Sequence, residues 1–119
     1  MITGKYPQLR LRRNRKSSWS RKLIQENTLS PSDFILPIFL IDGSNKKESI
    51  LSMPGVYRYT INRLPQIIDR AIKLGIPMIA LFPKTKNNLK NEIGSESLNE
   101  KNLVCKAIID IKKRYKNQI

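Results

Sequence analysis

Two short apolar runs, separated by an amphipathic pattern, constrain the fold of this chain more than any other feature. The first run is FILPIFLI at residues 34–41, and the second is IPMIALF at residues 76–82. Continuous apolar runs between turn signals are typical of strands that are buried on both faces of a parallel sheet. Pro37 within the first run indicates either a bulge or a position without a second partner strand.

The segment between the two runs has the periodicity of an amphipathic helix, which predicts a helix over residues 63–74. Its apolar positions recur at i, i+3, i+4, i+7 and i+8, and they are Leu64, Ile67, Ile68, Ala71 and Ile72. Asn62 is the expected N-cap, and Pro65 falls in the first turn, where a missing N–H is tolerated. Gly75 is expected to end the helix.

A second helix is predicted after the second run. Ser97 and Glu100 have the spacing of a capping box, and an apolar stripe follows at Leu103, Val104, Ala107, Ile108 and Ile111. Residues 42–49 and 83–93 are interpreted as polar loops, and residues 52–55 as a turn. The order is therefore βαβα, which is typical of a parallel α/β sheet. Two strands leave both sheet edges unpaired, so further strands are expected from another molecule or a longer fold.

Residues 1–28 are predicted to form a basic arm that contains a short helix over residues 18–27, with Trp19, Leu23 and Ile24 on one side. Five of the nine arginines fall within the first 22 residues of a chain whose net charge is +14. Leu9 and Leu11 alternate partly with arginines and Pro7 disfavours a helix, so the arm before the helix is expected to be extended. Its candidate contact residues are Arg10, Arg12, Arg13 and Arg15.

Three interpretations of the arm remain open: a strap that joins subunits, a solvated tail, or a nucleic-acid-binding segment. The planar guanidinium of arginine suits fixed contacts with carboxylate or phosphate groups. Tyr6 and Trp19 are the only aromatic residues of the arm, and no recognised nucleic-acid motif accompanies them, which disfavours the third interpretation.

Cysteine and histidine usage excludes some kinds of site. Cys105 is the single cysteine and the chain has no histidine, so neither an internal disulfide nor a Cys/His zinc site is available. Cys105 is expected to be a small buried apolar residue on the second helix. No apolar run approaches the length of a membrane span, so a soluble, cytoplasmic protein is expected.

Several blocks of sequence together resemble the porphobilinogen synthase family, also called delta-aminolaevulinic acid dehydratase. They are RLRRNR at residues 10–15, LSPSDFILPIF at 29–39, SMPGVYR at 52–58, LGIP at 74–77, LF at 81–82 and GSE at 94–96. The resemblance runs from about Leu9 to Ile119. It implies an N-terminal arm followed by a TIM (β/α)₈ barrel that is incomplete here, with residues 29–119 forming the first two of its eight strand–helix units.

The resemblance also implies an activity, a cofactor and a partner. The family condenses two 5-aminolaevulinate molecules to porphobilinogen in haem biosynthesis, through two Schiff-base lysines on later strands. A Zn²⁺ or Mg²⁺ motif follows the third strand, so this chain is expected to bind no metal and to be inactive alone. The family arm wraps a neighbouring subunit and stabilises a homo-octamer, which favours the strap interpretation for Arg10, Arg12, Arg13 and Arg15.

The resemblance implies one candidate substrate-lining residue, Phe82, for which plain barrel packing is the alternative. Lys84 and Lys86 follow the same strand, on the side where barrel enzymes keep their chemistry. Their polar neighbours favour a solvated loop over a Schiff-base role, because such a lysine must be desolvated. Pro83 stands where relatives often have glycine, which leaves the geometry of this loop open.

These features are consistent with three functions. The first is the N-terminal portion of a porphobilinogen synthase, and the second is a non-catalytic piece that docks on a complete synthase, which co-purification would reveal. The third is a basic nucleic-acid binder, whose affinity would fall steeply with salt and would depend on the arm arginines.

Overall fold

The computed structural model describes residues 4–10 and 12–119, and within them it shows a mixed four-stranded sheet with order β2-β3-β1-β4. The strands are β1 (Ile35–Leu40), β2 (Lys47–Ser49), β3 (Tyr57–Tyr59) and β4 (Met78–Pro83), and the helices are α1 (Ser18–Leu23), α2 (Leu64–Lys73) and α3 (Leu103–Tyr115). Leu11, one of the two leucines assigned to the extended arm, lies outside the described residues, as do residues 1–3 of the arm.

The longest pairing of the sheet joins the parallel strands β1 and β4, of which β4 is an edge strand. Their register runs without a break from Ile35 beside Met78 to Leu40 beside Pro83. This confirms the prediction that the two apolar runs lie side by side and point the same way, with α2 as the crossover between them. β3 pairs with β1 only at Phe39 and Leu40. Pro37 therefore lies where β1 has a partner strand on one side only, which accommodates its missing N–H.

A short β-hairpin corrects the expected strand count. Residues 47–49, predicted as loop, form β2, which pairs antiparallel with β3. Two backbone hydrogen bonds close the connection, from Met53 to the carbonyl of Ile50 and from Val56 to the carbonyl of Met53. Gly55 has φ 82°, a left-handed conformation that favours glycine, so the predicted turn at 52–55 is confirmed. Three-residue strands are too short to produce a period-two pattern, and the sequence therefore did not reveal them.

The crossover helix α2 lies close to its predicted bounds, but its N-cap differs. A 3₁₀ turn at Ile61–Arg63 precedes the helix. The side-chain oxygen of Asn62 instead accepts hydrogen bonds from the Asn45 backbone N–H and the Thr60 hydroxyl, so Asn62 secures a loop and does not cap the helix. Gly75 has φ 75° and ends the helix as predicted.

Helix α3 begins later than a capping box at Ser97 and Glu100 would place its start. Ser97 lies in a 3₁₀ turn at Ser95–Leu98, and the helix starts after Asn102. The Asn102 side chain accepts a 2.8 Å hydrogen bond from the backbone N–H of Cys105. An asparagine at the N-cap satisfies one of the free N–H groups of the first turn, and the Ser97–Glu100 prediction was wrong.

The C-terminal part of the arm contains less α-helix than predicted, and the part before α1 is not fully extended. Helix α1 stops at Leu23, four residues before the predicted end, and a 3₁₀ turn forms at Arg13–Arg15. Trp19 and Leu23 are 70% and 79% exposed, so no core packs against α1 to lengthen it. The Cα radius of gyration is 22.2 Å, whereas a compact domain of this length has about 13–14 Å. The chain is therefore far from compact, as expected when its arm has no core of its own.

One face of the sheet carries the core and the other face is open. Leu36, Ile38 and Leu40 alternate towards α2 and α3, whereas Ile35, Pro37 and Phe39 point to the open face. The buried cluster consists of Ile38, Leu40, Leu64, Ile68, Ala107, Ile111 and Tyr115. Each fully buried leucine or isoleucine contributes roughly 1.5–3 kcal/mol of transfer free energy. The prediction that both strand faces are buried is therefore met on one face only in this chain.

A hydrogen bond from Tyr115 joins helices α2 and α3. The Tyr115 hydroxyl donates to the carboxylate of Asp69 at 2.8 Å, and the Pro65 carbonyl lies 3.3 Å away. Burial and the Asp69 carboxylate raise the pKa of Tyr115 to about 12. Tyr115 was outside the predicted stripe, and Ile108, which was inside it, is 44% exposed.

Replacing Tyr115 with phenylalanine should lower the free energy of unfolding by about 1–2 kcal/mol, because Asp69 loses its donor. The unfolded tyrosine loses its proton near its ordinary pKa of 10.0, while the folded one keeps it to about 12. The native protein should therefore lose stability as the pH rises through this window, and Tyr115→Phe should lose less. Urea unfolding at several pH values measures both effects, with Tyr6→Phe as the exposed control. Parallel pH profiles for native protein and Tyr115→Phe would contradict the assignment.

Candidate functional site at the carboxyl ends of the parallel strands

Three strands of the sheet place one residue each at the same level of the open face. Phe39 of β1 lies in register with Arg58 of β3 on one side and with Phe82 of β4 on the other. The rings of Phe39 and Phe82 are tilted by 31° with centroids 5.6 Å apart. Because β1, β3 and β4 are mutually parallel where they pair, these residues lie at the carboxyl end of the sheet. The structure thus places Phe82 half-exposed on an aromatic surface.

A three-residue ion cluster lies directly beyond the aromatic pair. One carboxylate oxygen of Glu48 accepts hydrogen bonds from the Arg58 guanidinium and from the Lys84 ammonium, both at 2.8 Å. The hydrogen bond from Lys84, followed by the contribution of Arg58, holds the pKa of the Glu48 carboxyl below its usual value. The cluster therefore links the hairpin to the end of β4.

A second ion pair joins the loops that follow β1 and β4. The Lys86 ammonium lies 2.7 Å from the Asp42 carboxylate. The hydrogen bond from Lys86 lowers the pKa of Asp42, and the same bond raises the pKa of Lys86. Lys84 and Lys86 are both exposed and ion-paired, which is the polar environment expected from their neighbours.

A cavity of about 580 Å³ lies between the segment after β4 and the first turns of α3. Its lining includes Asp42, Lys84 and Lys86 on one side and Cys105 on the other. Cys105 is half-buried, so it is less enclosed than the sequence predicted. Open space at the carboxyl ends of parallel strands is the usual location of ligand sites in α/β folds.

The other predicted residues lie away from this site. Arg10, Arg12, Arg13 and Arg15 are exposed on the arm, and the Arg10 guanidinium lies 5.6 Å from the centroid of the Tyr6 ring. Across residues 4–10 and 12–119 no group of three or more His, Cys, Asp or Glu side chains is placed to hold a metal ion. In the same residues, no helix is long and apolar enough to cross a membrane.

Sequence reasoning missed Glu48 and Arg58, although a signal for them exists. In the hairpin the two residues are directly paired, with the turn at 52–55 between them. If residues 47–59 had been interpreted as a hairpin around that turn, opposite charges would have faced each other across the strands. Such a pair is typical of antiparallel neighbours.

A parallel strand–helix–strand unit with polar groups at its carboxyl edge defines the class: an α/β fold of the kind that carries enzyme sites at this edge. A solved structure from Toxoplasma gondii, described as delta-aminolevulinic acid dehydratase (porphobilinogen synthase) in complex with the reaction product porphobilinogen, matches with a TM-score of 0.79 and 37% identity. The match covers 92% of this chain and 31% of that chain.

Sequence comparison agrees with the structural match. The family profile described as delta-aminolevulinic acid dehydratase matches residues 8–119. The dehydratase of Bradyrhizobium diazoefficiens is 51% identical over 90% of this chain and 30% of its own length, and that of Chlamydia pneumoniae is 42% identical over 89% and 32%. The chain belongs to the delta-aminolevulinic acid dehydratase family, and it spans about a third of the length of these relatives.

Replacing Lys84 with methionine should raise the pKa of the Glu48 carboxyl towards its ordinary value, because the largest stabilising contact of the carboxylate is removed. Arg58→Met should raise it less. Carboxyl carbon NMR titration measures the pKa directly, and Lys90→Met provides a control outside the cluster. An unchanged Glu48 pKa in Lys84→Met would show that the ion cluster does not form in solution.

Proposed function

We propose that this chain forms the arm and the first two strand–helix units of a porphobilinogen synthase, the enzyme that condenses two 5-aminolaevulinate molecules to porphobilinogen. The observation that carries the proposal is the unbroken parallel register of β1 and β4 with an aromatic pair at its carboxyl end. The 0.79 TM-score against a synthase structure supports it.

Unfilled sheet edges support the more specific proposal of an incomplete (β/α)₈ barrel. β3 occupies the edge of β1 only at Phe39 and Leu40, which leaves residues 35–38 available to a further parallel strand. The outer edge of β4 is the end of the sheet order. In a closed barrel the eighth strand would pair with β1 and the third with β4, and the open face would become the barrel interior.

Within such a barrel Phe82 would line the substrate cavity together with Phe39. The two rings would lie between the apolar barrel interior and the charged cluster of Glu48, Arg58 and Lys84. Aromatic surface excludes water from a reacting pair of substrates, and the Glu48 cluster would fix the hairpin beside it. The resemblance assigns the two Schiff-base lysines to later strands. Lys84 is exposed and bound to Glu48, which supports a structural role for it.

The metal and the partners belong to the proposal as well. The resemblance implies Zn²⁺ or Mg²⁺, but the described residues offer no ligand cluster for either ion, so no step is assigned to a metal on this chain. The exposed arm supports assembly into a homo-oligomer, and a cytoplasmic location is proposed. The second candidate is a non-catalytic piece that docks its arm and its two strand–helix units on the subunits of a complete synthase.

Reconstitution tests the proposal. The chain is mixed with a polypeptide that comprises the remaining C-terminal part of the Bradyrhizobium relative, and porphobilinogen is measured after addition of 5-aminolaevulinate and Zn²⁺ or Mg²⁺. We expect product from the mixture and none from either piece alone. A stable complex without product would contradict the proposed function, and product from this chain alone would contradict its inactivity.

The same assay tests Phe82. Phe82→Ala should lower kcat/KM about tenfold or more, equivalent to a loss of at least about 1.4 kcal/mol of transition-state stabilisation. Phe34→Ala is a matched control, because Phe34 and Phe82 are both 49% exposed and Phe34 lies beyond the opposite end of the parallel pair. Equal losses in the two variants would assign Phe82 to packing.

A further inference from the structure

The cavity of about 580 Å³ between the segment after β4 and the start of α3 is separate from the aromatic surface of the candidate site. Neither Phe39 nor Phe82 lines it. Its wall on the β4 side begins at Pro83, the last residue of the strand, so a strand that paired along β4 would contact residues that precede the cavity. Small-molecule sites typically enclose about 300–1,000 Å³, so the space suits a metabolite.

Four lysines line this space, which we name the lysine cavity: Lys84, Lys86, Lys101 and Lys106. The first two make the ion pairs described above. Lys101 and Lys106 make no ion pair with the acids of residues 4–10 and 12–119. The cavity therefore contains two ammonium groups that are available to an anion from outside the chain.

The two acids of the lining do not neutralise these lysines. Asp42 is held by Lys86, and the hydrogen bond from Lys86 lowers the pKa of the Asp42 carboxyl, with a smaller contribution from the charge of Lys106. Lys106 therefore acts on the same space as Lys86. Glu96 contacts the Asn99 amide at 3.2 and 3.4 Å. Four ammonium groups thus face two carboxylates in the lining.

The rest of the lining indicates what kind of anion fits. Thr85 is half-buried beside the lysines and supplies a hydroxyl donor. Leu89, Leu103 and Val104 add apolar surface from both walls. Lysine ammonium groups bind phosphate as point charges. Apolar walls with a few convergent polar groups are typical of sites for organic molecules.

We propose that the lysine cavity binds a small phosphorylated metabolite. Its phosphate lies between Lys101 and Lys106, and its organic part packs on Leu89 and Val104. A phosphate monoester carries two negative charges near neutral pH and matches two ammonium groups, whereas a carboxylate matches only one. The site goes beyond the proposed function, because it uses neither the aromatic pair nor the ion cluster of Glu48.

Cys105 gives a direct measure of occupancy, because it is the only cysteine of the chain and lies half-buried in the lining. The probe is phenyl phosphate, and the thiol reagent is iodoacetamide, which is uncharged. We expect alkylation of Cys105 to slow as phenyl phosphate saturates the cavity, and isothermal titration calorimetry measures the dissociation constant. Phenol, inorganic phosphate and benzoate should each bind more weakly, because each lacks the phosphate or the organic part.

Two double variants test the lysines at constant ionic strength. Lys101→Gln/Lys106→Gln should raise the dissociation constant for phenyl phosphate at least about tenfold. Lys73→Gln/Lys113→Gln is the matched control, because it removes the same charge from exposed positions of α2 and α3 outside the cavity. It should bind phenyl phosphate as the native chain does. Circular dichroism verifies that both variants are folded.

Three results would overturn the proposal. They are unchanged alkylation of Cys105 with no binding heat at millimolar phenyl phosphate, equal weakening in the two double variants, and benzoate binding as tight as that of phenyl phosphate. None of them depends on porphobilinogen formation in the reconstitution assay. Failure of that assay alone would reject the proposed function while phosphate binding in the lysine cavity still stood.

Discussion

The burial of one sheet face against two helices is the interaction on which the rest of this structure depends. Ile38 and Leu40 of β1 pack against Leu64 and Ile68 of α2, and Ala107 and Ile111 of α3 complete the cluster. Because side chains alternate along a strand, burial of the even-numbered residues of β1 sends Phe39 to the opposite face. A one-residue shift in register would exchange the two sets and remove the aromatic pair from the site.

The same alternation organises the charged groups. Arg58 of β3 lies beside Phe39 of β1 in the parallel register, and Glu48 of β2 lies opposite Arg58 in the hairpin. Lys84 follows Phe82 by two residues and so points the same way. The ion cluster is therefore a geometric result of strand pairing, and its exposed members contribute little to global stability. Its effect is local, because it fixes the hairpin to the end of β4.

The parts that the sequence predicted are those with long, regular periodicity. The two apolar runs, the stripe of α2 and the role of Gly75 follow from local patterns, and the structure places them as expected. The hairpin was not predicted because three-residue strands have no measurable period. The start of α3 was not predicted because Ser97 and Glu100 have the spacing of a capping box, although Ser97 lies in a 3₁₀ turn and the N-cap is Asn102. Phe82 could be named only through a family resemblance, since its position on the open face is set by pairing with a distant strand.

The exposed backbone along β4 and along residues 35–38 of β1 has a consequence for how the protein is made. Each edge presents N–H and C=O groups that accept any strand of suitable direction, with little discrimination by side chain. Pairing of these edges between molecules accelerates with protein concentration, because each encounter joins two separate chains. The yield of folded protein should therefore depend on how dilute the chain is while its edges are unpaired, and less on any single side-chain contact.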